Sequence, residues 1–364
     1  MLPSISCTRT ATSGGKMSSR ESTSPKSCNS LKPKFPYDLP APCVDDVLSL
    51  RKRYSGYLSG AVAIGPQKYY MQGIYNDYAE ALYEFQFRPS DVVVASYPKT
   101  GTTWTEELVW LLLNNFDYSQ AKTPLDMRFP FLEADCIIDR RVFEFPEVAE
   151  RMNGEPPPGP FDSLHRARDL PDRRALKTHL PFSLLSPELL RTSKVVYVTR
   201  DPRDVAVSFY HHHKIILSHG FSGTIDEFID DFIEDKVLYS PFWSHVREAW
   251  EKRDEPNLLI ITYEELKSDL PAVILRIASF LDVSVSDAQL ETLTKHLHID
   301  SMRCNPAINP DHDPIVKIDP HEGGFVRKGA VGGWRSSLSE TSQAKLEAWM
   351  RRNAQGLDQH FGWT

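Results

Sequence analysis

The predicted fold is decided by one stretch of sequence, Asp91-Val-Val-Val-Ala-Ser-Tyr-Pro-Lys-Thr-Gly-Thr-Thr-Trp104. Its first half is a short β-branched run that follows Pro89, which is typical of a buried strand. Residues 98–101 interrupt this strand with a proline and a glycine, and from residue 102 to residue 115 apolar side chains recur at helical spacing. The sequence therefore predicts a strand, a glycine-containing loop and a helix in immediate succession.

The loop in this stretch has the residue types that bind a phosphate. The start of a helix offers unpaired backbone N–H groups and the positive end of the helix dipole. Gly101 permits close approach of the backbone, Lys99 adds a cation, and Thr102 and Thr103 add hydroxyl donors. For the loop taken alone, an ordinary strand–turn–helix with a surface lysine is the alternative.

Two further buried strands are predicted at residues 194–200 and 258–263, each followed by helix-forming sequence. Strands that alternate with helices predict a single α/β domain with a central parallel sheet flanked by helices. The two strands end at Arg200 and Tyr263, and neither ends at an aspartate that could bind magnesium. The nucleotide-triphosphate loop motif Gly-x-x-x-x-Gly-Lys-Ser/Thr is also absent. The sequence therefore predicts a P-loop-like strand–loop–helix that binds phosphate without a metal.

Composition and charge exclude some classes of function. The chain has 364 residues, of which 41% are hydrophobic, and no apolar run approaches the ~18 residues that a membrane span needs. Six basic residues and one acidic residue give residues 1–34 a charge of +5, which leaves −12 for the rest of a chain of net charge −7. An acidic body argues against nucleic acid as the main partner, because phosphate-backbone binding needs a basic face.

The domain organisation follows from local composition. Residues 1–34 are rich in Ser, Thr, Pro and Lys, which predicts a disordered basic tail before a folded domain of residues 35–364. The five cysteines are widely spaced and form no Cys-x-x-Cys pair, which indicates a reducing, cytoplasmic location. The tail also resembles a transit peptide in composition, so mitochondrial import is the alternative. Residues 153–174 and 303–333 resist regular assignment and are predicted to be lids or binding loops.

Two other segments carry basic candidates for ligand binding. Arg200 ends a predicted strand, the edge at which open α/β sheets bind ligands, and Ser208 lies in the helix that follows. Arginine can bind a phosphate through two hydrogen bonds. Arg327 and Lys328 lie in a glycine-rich segment, residues 325–334, that can fold over an anion. A surface Arg/Asp network and a flexible basic loop are the alternatives.

The segment Ala175-Leu-Lys-Thr-His-Leu-Pro181 carries a candidate base. If the segment is a short strand, Lys177 and His179 point to the same side of it. Histidine is the usual general base near neutral pH because its pKa is near 6.5. A structural histidine is the alternative for His179 taken alone.

Together these segments resemble the cytosolic sulfotransferases that use 3′-phosphoadenosine-5′-phosphosulfate (PAPS). The similarity extends from about Pro36 to the C-terminus, and its parts occur in the order that the family has. The parts are Pro98-Lys-Thr-Gly-Thr-Thr-Trp104, Lys177-Thr-His179, residues 200–208, Tyr263-Glu-Glu265 and Arg327-Lys-Gly329. The resemblance implies transfer of a sulfuryl group from PAPS to a hydroxyl or amine of a small, largely apolar acceptor, such as a phenol, a sterol or another alcohol.

The resemblance also implies roles for individual residues. His179 would be the general base, while Lys99 stabilises the departing phosphate oxygen and Lys177 the sulfuryl group. Arg200, Ser208 and Arg327 would hold the 3′-phosphate, and the backbone of residues 100–103 the 5′-phosphate. The full set of nucleotide-binding residues that it implies, with no metal, is Lys99, Thr100, Gly101, Thr102, Thr103, Trp104, Arg200, Ser208, Tyr263, Ile299, Met302, Arg327, Lys328 and Gly329.

The sequence departs from the family pattern in three segments. Leu297 and Ile299 stand where the family usually has a hydroxyl residue and a phenylalanine. The adenine contacts that the resemblance implies therefore differ at this segment. Gly333 stands where an aspartate is common. Glu340 replaces the valine of the family's dimer motif, which predicts a monomer or a weak homodimer.

Two other classes of function compete with a sulfotransferase. A metal-dependent nucleotide kinase would use a related phosphate loop, and a non-catalytic carrier would bind a small molecule or a nucleotide without acting on it. Within the family, a relative that dehydrates retinol offers a third possibility.

Several aromatic residues could line an apolar acceptor pocket: Phe129, Phe131, Phe143, Phe145, Phe209 and Tyr210. His211, His212 and His213 are consecutive and therefore point in different directions on a helix, which argues against a shared metal.

Overall fold

The computed structural model describes residues 33–155, 162–318, 323–327 and 329–363. Most of the predicted basic tail and the predicted nucleotide ligand Lys328 lie outside these ranges. From Pro33 onward the chain forms one compact unit. Within the described ranges, no helix combines the length and the apolar character needed to cross a bilayer.

A parallel sheet of four strands lies at the centre of this unit, as predicted. The described strands are β1 Ala61–Ile64, β2 Tyr69–Gln72, β3 Val92–Ala95, β4 Ala175–Thr178, β5 Lys194–Thr199 and β6 Leu258–Thr262. The central sheet has the order β4-β3-β5-β6, and all its neighbours run parallel. The antiparallel pair β1–β2 was not predicted, and it turns through Gly65 and Lys68, which both have positive φ.

Helices cover the sheet. In chain order the described α-helices are α1 Val44–Leu50, α2 Ala79–Tyr83, α3 Thr102–Leu113, α4 Leu125–Arg128, α5 Pro146–Arg151, α6 Ser163–Asp169, α7 Leu189–Thr192, α8 Pro202–Ile215, α9 Ile225–Ile233, α10 Phe242–Glu251, α11 Tyr263–Ser268, α12 Leu270–Phe280, α13 Asp287–His296, α14 Ile299–Cys304, α15 Trp334–Ser337, α16 Glu340–Asn353 and α17 Leu357–Phe361. Short 3-10 helices lie at Gly73–Asp77, Gln120–Lys122, Ala134–Cys136, Arg140–Glu144 and Phe182–Leu184.

The alternating side chains of the strands build an apolar core on each face of the sheet. Val93 of β3 packs into one core, and its neighbours Val92 and Val94 pack into the other. In β5 the same alternation separates Tyr197 from Val196. A parallel sheet that is covered on both faces leaves only its edges open, so the carboxyl ends of its strands are where a ligand can bind.

The prediction of an irregular segment at residues 153–174 was wrong in part, because α6 lies within it. No side chain at its N-terminus caps this helix locally. Instead the carboxylate of Asp135 accepts hydrogen bonds from the backbone N–H and the hydroxyl of Ser163, 28 residues further along the chain. A cap supplied from a distant segment leaves no local signal in the sequence.

Candidate active site

The carboxyl ends of the four central strands bring four polar residues to one edge of the sheet. Ser96 follows β3, His179 follows β4, Arg200 follows β5 and Tyr263 follows β6. A cavity of about 430 Å³ opens at this edge. The predicted site residues that line it are Lys99, Gly101, Thr102, Thr103, Trp104, Lys177, His179, Arg200, Ser208, Tyr263, Ile299, Met302, Arg327 and Gly329.

Thr100 is the described site residue whose side chain turns away from this cavity. Its hydroxyl donates to the carbonyl oxygens of Tyr97 and Val198, at 2.8 and 2.9 Å, and so fastens the loop to β5. The loop itself has left-handed backbone at Lys99 and Gly101, with φ of 68° and 105°. A Cβ atom at Gly101 would lie 2.8 Å from the ring of Tyr263, so the close turn requires glycine there.

The loop lysine lies in a strongly positive and buried environment. The ammonium of Lys99 lies 4.3 Å from the centroid of the Phe325 ring. Burial, together with the charges of Lys177, Arg200 and Arg327, lowers the pKa of Lys99 to about 7. A cavity that forces four cations together is suited to an anion of several charges.

Arg200 connects the parts of this cationic end. Its guanidinium lies 4.2 Å from the centroid of the Tyr263 ring and donates to the carbonyl oxygens of Lys99 and Ala330. Its Nε is buried without a hydrogen-bond partner among the described residues. Gly329 closes over the same ring with a φ of 61°, and a Cβ atom there would lie 3.1 Å from the Tyr263 hydroxyl oxygen.

An apolar shelf adjoins the cations. Trp104 and Tyr263 meet edge to face, with ring centroids 5.7 Å apart. The Cβ position of Gly329 lies 3.3 Å from Ile299, and Met302 lines the same cavity. The indole nitrogen of Trp104 is buried without a hydrogen-bond partner in the described part of the chain. Unpaired donors, close-packed glycines and an apolar surface beside several cations fit a nucleotide with more than one phosphate group.

The geometry around His179 defines its tautomer. Its Nδ1 lies 2.8 Å from the carbonyl oxygen of Ser96 and 3.1 Å from the Ser96 hydroxyl, which in turn lies 2.7 Å from the hydroxyl of Thr102. Because a carbonyl oxygen only accepts, Nδ1 carries the proton and Nε2 keeps its lone pair. Burial and the nearby Lys177 hold the pKa of His179 well below its usual value, so the ring is neutral.

Lys177 is held by an acid that was not among the predicted site residues. Its ammonium lies 3.2 Å from a carboxylate oxygen of Glu106 and 4.9 Å from the centroid of the Phe131 ring. Glu106 is buried on α3, and its burial raises its pKa although Lys177 acts in the opposite direction. Two consecutive glutamates, Glu106 and Glu107, in an otherwise apolar helix were the available signal.

Two further residues near the reacting groups were missed. Glu133 accepts a hydrogen bond from the backbone N–H of His179, and burial raises the pKa of this carboxyl to about 7. Ser96 links His179 to the phosphate loop. A polar residue directly after a buried strand was the signal for Ser96, whereas Glu133 reaches His179 across 46 positions of sequence and gave none.

The other end of the cavity is mostly apolar, and only part of its lining was predicted. Of the six aromatic candidates, Phe131 and Phe209 line it. Phe129 packs instead into the core beneath the sheet. The remaining apolar lining comes mainly from segments distant in sequence, namely Ile137, Ile138, Ile216, Leu238, Tyr239, Ile315, Val316 and Phe325.

Comparison with known proteins identifies the family. A family model described as a sulfotransferase domain matches residues 89–358. Luciferin sulfotransferase from Photinus pyralis is 38% identical over 303 residues, which cover 81% of this chain and 80% of the relative. Sulfotransferase 1B1 from Mus musculus is 32% identical over 284 residues, which cover 78% of this chain and 88% of the relative.

Solved structures agree with this result. Retinol dehydratase in a complex with retinol and PAP (adenosine 3′,5′-bisphosphate) superposes with a TM-score of 0.79 at 34% identity. The match covers 88% of this chain and 98% of that one. The cationic end of the cavity and its apolar shelf fit the same class of nucleotide. The chain belongs to the sulfotransferase family and is a PAPS-dependent enzyme that transfers a sulfuryl group to small-molecule acceptors.

Proposed function

We propose that His179 is the general base for sulfuryl transfer to a hydroxyl or amine of an elongated, largely apolar acceptor, such as a phenol, a sterol or another alcohol. One observation carries the proposal: a neutral imidazole is tied to Ser96 through Nδ1, which leaves the Nε2 lone pair available inside the cavity. Nε2 takes the proton of the acceptor hydroxyl, and the Ser96 carbonyl stabilises the imidazolium that forms.

The cationic end holds the nucleotide. PAPS, when bound, supplies an activated sulfuryl group and a phosphate as leaving group. The backbone N–H groups of residues 100–103 bind the 5′-phosphate, and Lys99 stabilises the charge that develops on the leaving oxygen. Lys177 stabilises the sulfuryl group, and Glu106 keeps its ammonium at the junction of the two ends.

The remaining nucleotide ligands follow from the same assignment. Arg200, Ser208 and Arg327 bind the 3′-phosphate, which supplies a partner for the unpaired Nε of Arg200. Lys328 and Gly329 close over it. The adenine lies on the apolar shelf formed by Trp104, Tyr263, Ile299 and Met302.

The transfer reaction is tested with radiolabelled PAPS and a panel of phenols, sterols, alkyl alcohols and amines. With sulfur-labelled PAPS, label is expected in a sulfate ester that chromatography separates from PAPS, with elongated apolar hydroxyl compounds and without added metal. If PAP stabilises the protein but no hydroxyl or amine compound takes up label, the acceptor class is wrong and a nucleotide carrier becomes the better account.

A second product chemistry is favoured by the likeness to retinol dehydratase, which is 34% identical over 88% of this chain. In that case a sulfate ester of an allylic alcohol is an intermediate that eliminates. Mass spectrometry of the products separates the two outcomes. A stable sulfate ester supports simple transfer, whereas a dehydrated product with free sulfate supports elimination.

We further propose a cytoplasmic protein, monomeric or weakly dimeric, with no membrane or nucleic-acid partner and with a folded domain of residues 35–364. The described cysteines Cys43, Cys136 and Cys304 are free thiols, which suits a reducing compartment. In the segment of the dimer motif, Ser339 caps α16 and donates to Asp226 of its own chain. Sedimentation equilibrium that gives a stable dimer at nanomolar concentration would contradict this proposal.

A further inference from the structure

Three imidazoles meet beside the apolar end of the cavity. Potential ligand atoms of His212, His213 and His219 all lie within 4.8 Å of one another. His212 and His213 lie on α8, and His219 lies in the loop that follows it. The rings of His213 and His219 are stacked, with centroids 4.1 Å apart. His219 was not predicted to meet them, because it lies six residues beyond the run of consecutive histidines.

His213 has no nitrogen left for a ligand. Its Nδ1 lies 2.9 Å from the carbonyl oxygen of Phe209, which can only accept, so Nδ1 is the donor. Its Nε2 therefore has the lone pair and accepts a hydrogen bond of 3.1 Å from the hydroxyl of Tyr57. Both nitrogens serve the packing of the core, which leaves two imidazoles rather than three to meet a ligand.

His212 and His219 differ from His213, because each has a buried nitrogen without a partner. The Nδ1 atoms of both residues have no hydrogen-bond partner among the described residues, and both side chains line the cavity. Their ring centroids are 5.1 Å apart. Buried polar atoms in native proteins are nearly always hydrogen-bonded, so two unpaired nitrogens on side chains that line one cavity indicate a ligand that these imidazoles bind.

Both imidazoles are neutral, which restricts the ligand. Burial, with the Lys99 ammonium nearby, lowers the pKa of His219 to about 3 and holds that of His212 well below its usual value. A neutral imidazole has one N–H donor and one lone pair. A hydroxyl group can donate to one ring and accept from the other, whereas an ammonium would have to lie near the cationic Lys99.

We propose that His212 and His219 form a second polar contact in the acceptor cavity and bind a hydroxyl group of the acceptor other than the one that receives the sulfuryl group. The inference rests on the proposed function, since it concerns the acceptor of the same site. It narrows the acceptor from an apolar alcohol or phenol to a diol or diphenol with one hydroxyl at each end of an apolar body.

Matched rigid acceptors test the proposal. One pair is para-phenylphenol and the biphenol with a para hydroxyl on each ring, and a shorter pair is phenol and hydroquinone. Their dissociation constants are measured by calorimetry with the protein saturated with PAP, and kcat/KM is measured with PAPS. In at least one pair the two-hydroxyl compound is expected to bind about tenfold more tightly. Two equivalent hydroxyls alone would only double the affinity.

Variants locate the effect. His212→Leu and His219→Leu are expected to reduce the preference to that simple doubling, whereas His212→Asn and His219→Asn retain part of it. His360→Leu is the control, because His360 is exposed on α17, outside the cavity. Stabilisation by PAP should be the same in all variants.

The binding measurement separates this inference from the proposed function. If acceptors bind with the expected preference but no sulfate is transferred, only the proposed function fails. If the wild-type protein shows no preference beyond doubling in either pair, or if the preference survives in the leucine variants, the histidine contact is wrong. A wild-type protein without the preference would overturn the proposal even if the leucine variants do not fold, and the asparagine variants then locate the contact.

Discussion

The two ends of the cavity are built in different ways. The nucleotide end is formed chiefly by short segments that directly follow the strands, and backbone N–H groups, glycines and fixed cations supply its chemistry. The acceptor end is formed by side chains from α8, from the loop beyond it and from residues 310–316 and 325–326. The first arrangement is suited to the charge and shape of a nucleotide, whereas the second presents mostly apolar side chains from several segments.

His179 and Lys99 lie where the two ends of the cavity meet. His179 is tied through Ser96 to Thr102 of the phosphate loop. Lys99 belongs to the loop, but its ammonium lies against Phe325 of the acceptor lining. Substitutions that affect one end and spare the other therefore test whether one end binds the nucleotide and the other the acceptor.

The largest effect is expected from His179→Ala. Loss of the base should lower kcat by ~10²–10⁴-fold, because general base catalysis contributes about that factor. The affinity for PAP should not change, since the imidazole lies outside the phosphate contacts. Initial rates and calorimetric titration measure the two quantities, and His165→Ala on the exposed face of α6 is the control. An equal loss of PAP affinity would remove the assigned role.

Arg200→Ala should lower the affinity for PAP rather than kcat. Hydrogen bonds to charged groups are worth ~1.5–3 kcal/mol, so PAP affinity should fall by about 10–100-fold. Arg191→Ala on α7, where the arginine is exposed, is the matched control. Unfolding of the free protein must be monitored as well, because Arg200 also bonds to the carbonyls of Lys99 and Ala330. Wild-type PAP affinity in a folded variant would contradict the 3′-phosphate assignment.

Lys99 should make PAP binding depend on pH. In the free protein its pKa is lowered to about 7, and a bound phosphate stabilises the ammonium and raises that pKa. Above pH 7 binding therefore takes up a proton, and affinity should fall by up to about tenfold per pH unit; at pH 6 the lysine is already protonated and uptake is small. Calorimetry in buffers of different ionisation enthalpy measures the uptake. If Lys99→Met shows the same uptake, another group is responsible.

The smallest effect is expected from Val316→Ala at the acceptor end. Val316 is buried in the cavity lining, and loss of its methyl groups should cost about 1 kcal/mol, or roughly fivefold in the KM of an apolar acceptor. PAP affinity should not change. Val44→Ala on α1 removes an exposed valine and serves as the control. A change in PAP affinity with an unchanged acceptor KM would show that the two ends are assigned the wrong way round.

The same contrast explains what the sequence could predict. The parallel sheet and the phosphate loop follow from β-branched runs and from a lysine and a glycine, Lys99 and Gly101, two positions apart directly after a strand. The strands bring their own polar ends, such as Arg200, to a common edge, so the nucleotide end could be assembled without knowing how distant segments pack.

The acceptor end could not be assembled in this way. Glu133 reaches His179 from 46 positions away, and His219 reaches His212 because the chain reverses after α8. Asp135 caps α6 from outside that helix. Such contacts depend on tertiary packing, and no local period or motif in the sequence encodes them.

Thermal unfolding with adenosine 3′,5′-bisphosphate, compared with ADP and with ATP plus magnesium, tests the central claim most directly. A ligand at ~1,000 times its dissociation constant adds ~4.1 kcal/mol to the free energy of unfolding, so a specific ligand gives a clear shift. We predict a large rise in melting temperature with the bisphosphate in the absence of metal, and a much smaller rise with ADP. Stabilisation by ATP with magnesium alone would contradict the assignment of Arg200, Ser208 and Arg327 and would favour a nucleotide kinase.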